Sequence, residues 1–217
     1  MNAARPPANA ARRPVPPLTL ATRVTLARLL GIPVFILLVG YYTTGLQAGA
    51  PNEYHRVGAL AVFLAVALTD ALDGYLARSR NEVTALGRLL DPLADKTLLV
   101  SALLMLTRPG LPELRPQFPL WFTVGAIGRD VLLVIGAFVV RHAAGTLHLQ
   151  PRAAGKLSTL LQMAAITWVL AAAPERGLPL LCGVALATAL LAGVQYTVNG
   201  WRQIAAAHDA QGSGPEA

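Results

Sequence analysis

Residues 70–95 read DALDGYLARSRNEVTALGRLLDPLAD, and this stretch decides what kind of molecule the chain is. Its fixed points are Asp70, Asp73, Gly74, Ala77, Arg78, Gly87, Asp91 and Asp95, in the pattern D-x2-D-G-x2-A-R-x8-G-x3-D-x3-D. Asp70 and Asp73 stand three apart, and Asp91 and Asp95 four apart, so on helices each pair shares a face. The stretch is entered from an apolar run, 57–77, and left through another, 89–106, each near the ~20 residues that cross a bilayer. Charge at membrane depth is costly, and four carboxylates there need a reason and a counter-charge. Two antiparallel helices joined by a short polar connection would gather all four near one face of the membrane.

The rest of the chain has the composition of that setting. Of 217 residues, 54% are hydrophobic and 13% charged, roughly half the charge of an average soluble domain. An ordinary soluble domain and a disordered chain are therefore set aside. The one cysteine, Cys182, lies in an apolar run, which excludes a disulfide scaffold and reads as a small buried hydrophobe. The net charge of +7 comes from 18 basic and 11 acidic residues. In a membrane protein the positive-inside rule accounts for such an excess, and no nucleic-acid partner is expected. The acids are more informative, since five of the 11, including all four motif aspartates, fall inside the quoted stretch.

Hydropathy predicts an all-α integral membrane protein with six transmembrane helices, at about 29–42, 57–77, 89–106, 120–140, 157–173 and 178–198. A short amphipathic helix, 18–28, mixing leucines and valine with Thr19, Thr22, Arg23, Thr25 and Arg28, precedes them as an interfacial segment. Five prolines make residues 1–17 a disordered tail, 18–202 form the membrane domain, and 203–217 form a polar C-terminal tail. With the N-terminus in the cytosol, twelve basic residues fall on the cytosolic side, among them Arg23, Arg78, Arg141, Arg152 and Lys156. Only Arg56, Arg108, Arg115 and Arg176 fall opposite, so both termini are expected inside.

The aspartates point to metal. Hard oxygen donors suit Mg²⁺ or Mn²⁺, and no cysteine–histidine cluster competes. Gly74 and Gly87 remove side chains where a ligand or helix approaches the backbone, Ala77 continues that small surface, and Arg78 offers a forked donor to phosphate. Buried carboxylates also suit a cation or proton transporter, but the glycine and arginine spacing speaks against it. Eight specified positions match by chance on the order of once in 10¹⁰ trials.

This pattern resembles the signature of the CDP-alcohol phosphatidyltransferase family at all eight positions. The resemblance extends from Leu18 to Arg202: LTLATRVTLARLLGIPVF (18–35) and AAGKLSTLLQ (153–162) are similar to segments of the family's bacterial phosphatidylglycerophosphate synthases. It implies a membrane enzyme, usually a homodimer, with six helices around a polar cavity open to the cytosol, in the plasma or inner membrane. It implies a CDP-diacylglycerol donor, an alcohol acceptor and release of CMP. By position, Asp70, Asp73 and Asp91 would bind two metal ions, with Asp95 as base and second-metal ligand, and Gly74, Ala77, Arg78 and Gly87 would line the CDP site. Asp95 lies deepest in its span, which suits it to take the proton of the acceptor hydroxyl.

Arg129, inside the fourth span, reads either as a local ion pair with Asp130 or as a contact for an acceptor phosphate. Lys156 is the second candidate for that phosphate, and Lys96 either pairs or snorkels. His142 and His148 lack metal spacing, and Trp121 and Trp201 sit where interfacial belts occur. Two phosphate contacts favour glycerol 3-phosphate as acceptor. Gly128-Arg129-Asp130 and Gln195-Tyr196 instead resemble the family's eukaryotic-type cardiolipin synthases, with phosphatidylglycerol as the alternative acceptor.

Overall fold

The structure, a computed structural model, describes the backbone of residues 20–80, 85–144 and 153–212, and the side chains of 29–69, 94–142 and 154–201. The tail 1–17, most of 213–217, His148 and Arg152 lie outside these residues. The described residues form helices α1 (Leu20–Gln47), α2 (Glu53–Arg80), α3 (Ala85–Met105), α4 (Leu120–Ala144), α5 (Ala153–Leu170) and α6 (Leu178–Gly212). No strand occurs among them.

Three segments among the described residues are long and apolar enough to cross a bilayer: Leu29–Gln47 in α1, Leu120–His142 in α4, and Glu175–Trp201, which includes most of α6. The other expected spans are helical in place but give part of their length to polar sequence. α2 ends in the aspartate motif and α3 begins with it. α5 has only 18 residues and carries Lys156, Ser158, Thr159 and Gln162 in its first half.

The expected interfacial helix is not a separate element. One helix runs unbroken from Leu20 to Gln47, through Pro33. Its 28 residues are about 42 Å long, against about 30 Å of hydrocarbon. A helix of that length carries 20–28 as an extension of the first span.

Turns follow local chemistry. Asn52 precedes α2, and its Oδ1 accepts the Tyr54 N–H at 3.0 Å, satisfying one of the unpaired donors of the first turn. α5 ends where Ala172 takes a left-handed φ of 49°, and the Trp168 indole N–H donates to the Pro174 carbonyl at 3.0 Å. The turn expected at 174–177 is a 3-10 helix, Glu175–Gly177, leading directly into α6.

The core runs the length of the bundle. α1 buries Ile32, Phe35 and Val39, spaced as one helical face, against Ala59, Phe63 and Val66 of α2 and Leu98, Leu99 and Ala102 of α3. Phe35, Phe63 and Phe122 are fully buried. α6 packs a face of small residues, Cys182, Ala185, Ala189 and Ala192, at the three-to-four spacing that lets helix backbones approach closely in membranes. At Gly31 a Cβ would lie 2.7 Å from Val66 Cγ2, so only glycine lets α1 and α2 come this close. The outer face of α4, with Val131, Leu132, Val134, Ile135 and Phe138, is exposed. Such a face is tolerable only where hydrocarbon is the solvent. The chain is accordingly a multi-pass helical membrane protein.

α1 packs on both α2 and α3, while α6 packs on α4 and α5. The two halves meet where α5 touches α2 and α3, and where α3 touches α4. Among the described residues, α2 and α3 are held by α1 and α5 rather than packed on each other.

Candidate active site

The two motif halves occupy consecutive helix ends. Asp70, Asp73, Gly74, Ala77 and Arg78 fall in the last three turns of α2, and Gly87, Asp91 and Asp95 in the first three of α3. Because both segments are helical, the three- and four-residue spacings place each aspartate pair on one face. The side chains of Asp70, Asp73, Ala77, Arg78 and Asp91, and the surroundings of Gly74 and Gly87, lie outside those described. Asp95 is the one aspartate of the four with a described side chain, and it is half-buried beside Ala94, Leu98 and Leu99 of the core. Among the described side chains no three acidic, histidine or cysteine residues gather as a metal site.

The neighbouring turn holds an ion network. Lys96, next to Asp95, donates from Nζ to Asp130 Oδ2 at 2.5 Å, joining α3 to α4. Arg129 donates from Nη1 to Asp130 Oδ1 at 2.8 Å. Two cations thus share one carboxylate. The Arg129 side chain is only 8% exposed, and its Nε is buried with no partner. A buried cation left incompletely paired is expensive, so this arrangement calls for an anion. Of the two readings open for Arg129, the structure shows the ion pair, with a guanidinium face left over. For Lys96 it shows pairing, across helices.

α5 begins against this cluster. A Cβ on Gly155 would lie 3.8 Å from Arg129 Nη2, and Lys156, the next residue, is exposed. Further along, Ser158 is fully buried with an unpartnered Oγ, and Gln162 is 3% exposed. Sequence reading assigned no role to Ser158 or Gln162. The available signal was polar residues four apart, one helical face, within an apolar segment. His142 stacks on Phe138 and is exposed, as expected of a residue outside any metal site.

The motif aspartates thus stand on two consecutive helix ends of a helical membrane protein, with the Lys96–Asp130–Arg129 network next to Asp95. The chain belongs to the CDP-alcohol phosphatidyltransferase family, whose profile matches residues 18–198. It is therefore a phospholipid-synthesis transferase. It is 36% identical to a protein named probable phosphatidylglycerophosphate synthase from Mycobacterium tuberculosis, over 85% of this chain and 83% of that one. It is 34% identical to the CDP-diacylglycerol–glycerol-3-phosphate 3-phosphatidyltransferase of Bacillus subtilis, over 70% of this chain and 76% of the relative. A cardiolipin synthase (CMP-forming) of Streptomyces coelicolor is 35% identical over 57% of this chain and 52% of its own length. Family membership overturns the transporter reading.

Proposed function

We propose that the chain transfers the phosphatidyl group of CDP-diacylglycerol to glycerol 3-phosphate, forming phosphatidylglycerophosphate and CMP. The observation that carries the acceptor is Arg129, a buried guanidinium with an unpartnered Nε, one Lys96–Asp130 link from the turn holding Asp95. A phosphate on the acceptor supplies the missing anion. Lys156, on the turn of α5 that meets Arg129, is the second contact. Similarity to phosphatidylglycerophosphate synthases over most of both chains supports the same acceptor.

The chemistry follows from placing the acceptor hydroxyl at Asp95. Asp95 takes the hydroxyl proton as the oxygen forms its bond to the β-phosphorus of the donor. The bond from that phosphorus to the bridging oxygen breaks, and CMP leaves with its electron pair. Arg78 would pair with the donor's pyrophosphate, while Gly74, Ala77 and Gly87 would leave room for the CDP moiety. The donor set of Asp70, Asp73, Asp91 and Asp95, hard oxygens in helical register, fits two Mg²⁺ or Mn²⁺ ions. Bound there, the metals supply charge neutralisation on the pyrophosphate and the departing phosphate.

In this reading α1 to α6 are six spans with both termini in the cytosol, and the motif ends of α2 and α3 open to that side. Residues 18–202 are the membrane domain, the protein works as a homodimer, and it resides in the plasma or inner membrane. The test is CMP release by detergent-purified protein with CDP-diacylglycerol and Mg²⁺, glycerol 3-phosphate and phosphatidylglycerol being supplied separately. Lipid mass spectrometry should find phosphatidylglycerophosphate in the first reaction. Cardiolipin from the second alone would establish the other acceptor, which the Arg129-Asp130 pair and the cardiolipin synthase relatives favour. No CMP with either would defeat the reading.

A further inference from the structure

The division of one carboxylate between two cations has a use that family membership does not describe. Neighbouring residues on a helix do not face each other. For Arg129 to reach Asp130 it must fold back along α4, and this contact fixes where the guanidinium lies. An arginine beside an aspartate ordinarily takes both oxygens in a forked pair. Here the contact is single: Lys96 of α3 donates to Oδ2 at 2.5 Å, and Arg129 Nη1 donates to Oδ1 at 2.8 Å. The arginine is held by one nitrogen, and Nε stays buried and unspent.

We propose that Asp130 is a positioning residue for the acceptor site, with Lys96 as the group that limits its grip. Asp130 aims the Arg129 guanidinium, and Lys96, by sharing the carboxylate's single negative charge, leaves Arg129 only partly neutralised, with Nε unpartnered for the acceptor's phosphate. The same Lys96–Asp130 bond ties α4 to the turn of α3 that carries Asp95, so phosphate binding and the base are referred to one another through a single side chain. This rests on Arg129 being the phosphate contact.

The experiment measures KM for glycerol 3-phosphate and for CDP-diacylglycerol, kcat, and thermal stability in detergent, for Arg129→Ala, Asp130→Asn, Lys96→Met and Arg129→Ala/Asp130→Asn. Asp130→Asn and Lys96→Met should each raise the acceptor KM about tenfold, the scale of one charge-assisted hydrogen bond, and leave the donor KM within about twofold. In the Arg129→Ala background, Asp130→Asn should raise the acceptor KM no further, since Asp130 acts through Arg129. Glycerol 3-phosphate titrated into the protein by calorimetry should show the same losses. A mere cross-link between helices would lower stability and move both KM values together, which overturns the proposal. If Arg129→Ala leaves the acceptor KM unchanged, the reading of Arg129 fails and the proposal with it. If Arg129→Ala raises it while Asp130→Asn and Lys96→Met do not, only the positioning role fails. Lys96 is 44% exposed, so its variant keeps the question open to measurement even where Asp130→Asn does not fold.

Discussion

The two ends of the helix bundle handle charge in opposite ways. Toward the end that holds the start of α5, near the middle of α3 and α4, Lys96 and Arg129 share Asp130, and Arg129 and Asp130 are 8% and 16% exposed. At the other end Arg56 and Arg115 each have a carboxylate of their own. Arg56 pairs with Glu53 at 2.6 Å and lies over the Tyr42 ring, and Arg115 reaches Glu175 at 3.8 Å. There Arg115 and Glu175 are 69% and 53% exposed. The difference lies in the pairing: toward the motif one carboxylate is divided between two cations on different helices, while Arg56 and Arg115 do not share theirs. In the proposed reading the shared carboxylate marks the working end.

The sharpest way to break this contrast is to strip divalent metal. Chelation with EDTA should abolish CMP release, and Mg²⁺ should restore it, with folding of the far end unaffected by circular dichroism. Activity that survives thorough chelation would remove the metal role of the aspartates. Next, Asp95→Asn should lower turnover by about 10³-fold, within the range for losing a general base, while CDP-diacylglycerol binding persists. Wild-type-like turnover would take the base role from Asp95. A smaller effect is expected from Gly31→Ala, which sets a Cβ 2.7 Å from Val66 Cγ2, one turn before Asp70. Valine is stiff about χ1, so the helices must part, at a cost of about 1–3 kcal/mol for an overpacked core, read as a lower Tm in detergent. An unchanged Tm would mean the α1–α2 contact is slack. The smallest effect belongs to the other end: Arg115→Gln should change stability by less than about 0.5 kcal/mol, as for exposed ion pairs, and leave kcat and both KM values alone. A loss of activity there would dissolve the distinction between the two ends.

Much of this was legible without coordinates, for identifiable reasons. Helices could be located because apolar runs of membrane length have few alternatives to helix, every backbone donor needing a partner inside its own segment. The acidic motif was legible because its spacings are helical and its charges stand where lipid penalises them. LTLATRVTLAR (18–28) changes in composition at Arg28, but the sequence has no helix-breaking residue there, and α1 runs through from Leu20 as one helix rather than two. Three segments among the described residues meet the length and hydropathy of a span.

The sequence by itself determined the family, the all-helical architecture and the eight-residue motif, because these depend on local spacing along one helix or across one short connection. It also marked Arg129, Asp130, Lys96 and Lys156 as charges needing an explanation. What it left open was who pairs with whom. Lys96 and Asp130 are 34 positions apart and meet at 2.5 Å only because α3 and α4 pack at that level. That contact makes Asp130 a carboxylate shared between Lys96 and Arg129, beside an Arg129 Nε without a partner. Pairing of charges across helices is a property of packing, and no periodicity along a single chain segment encodes it.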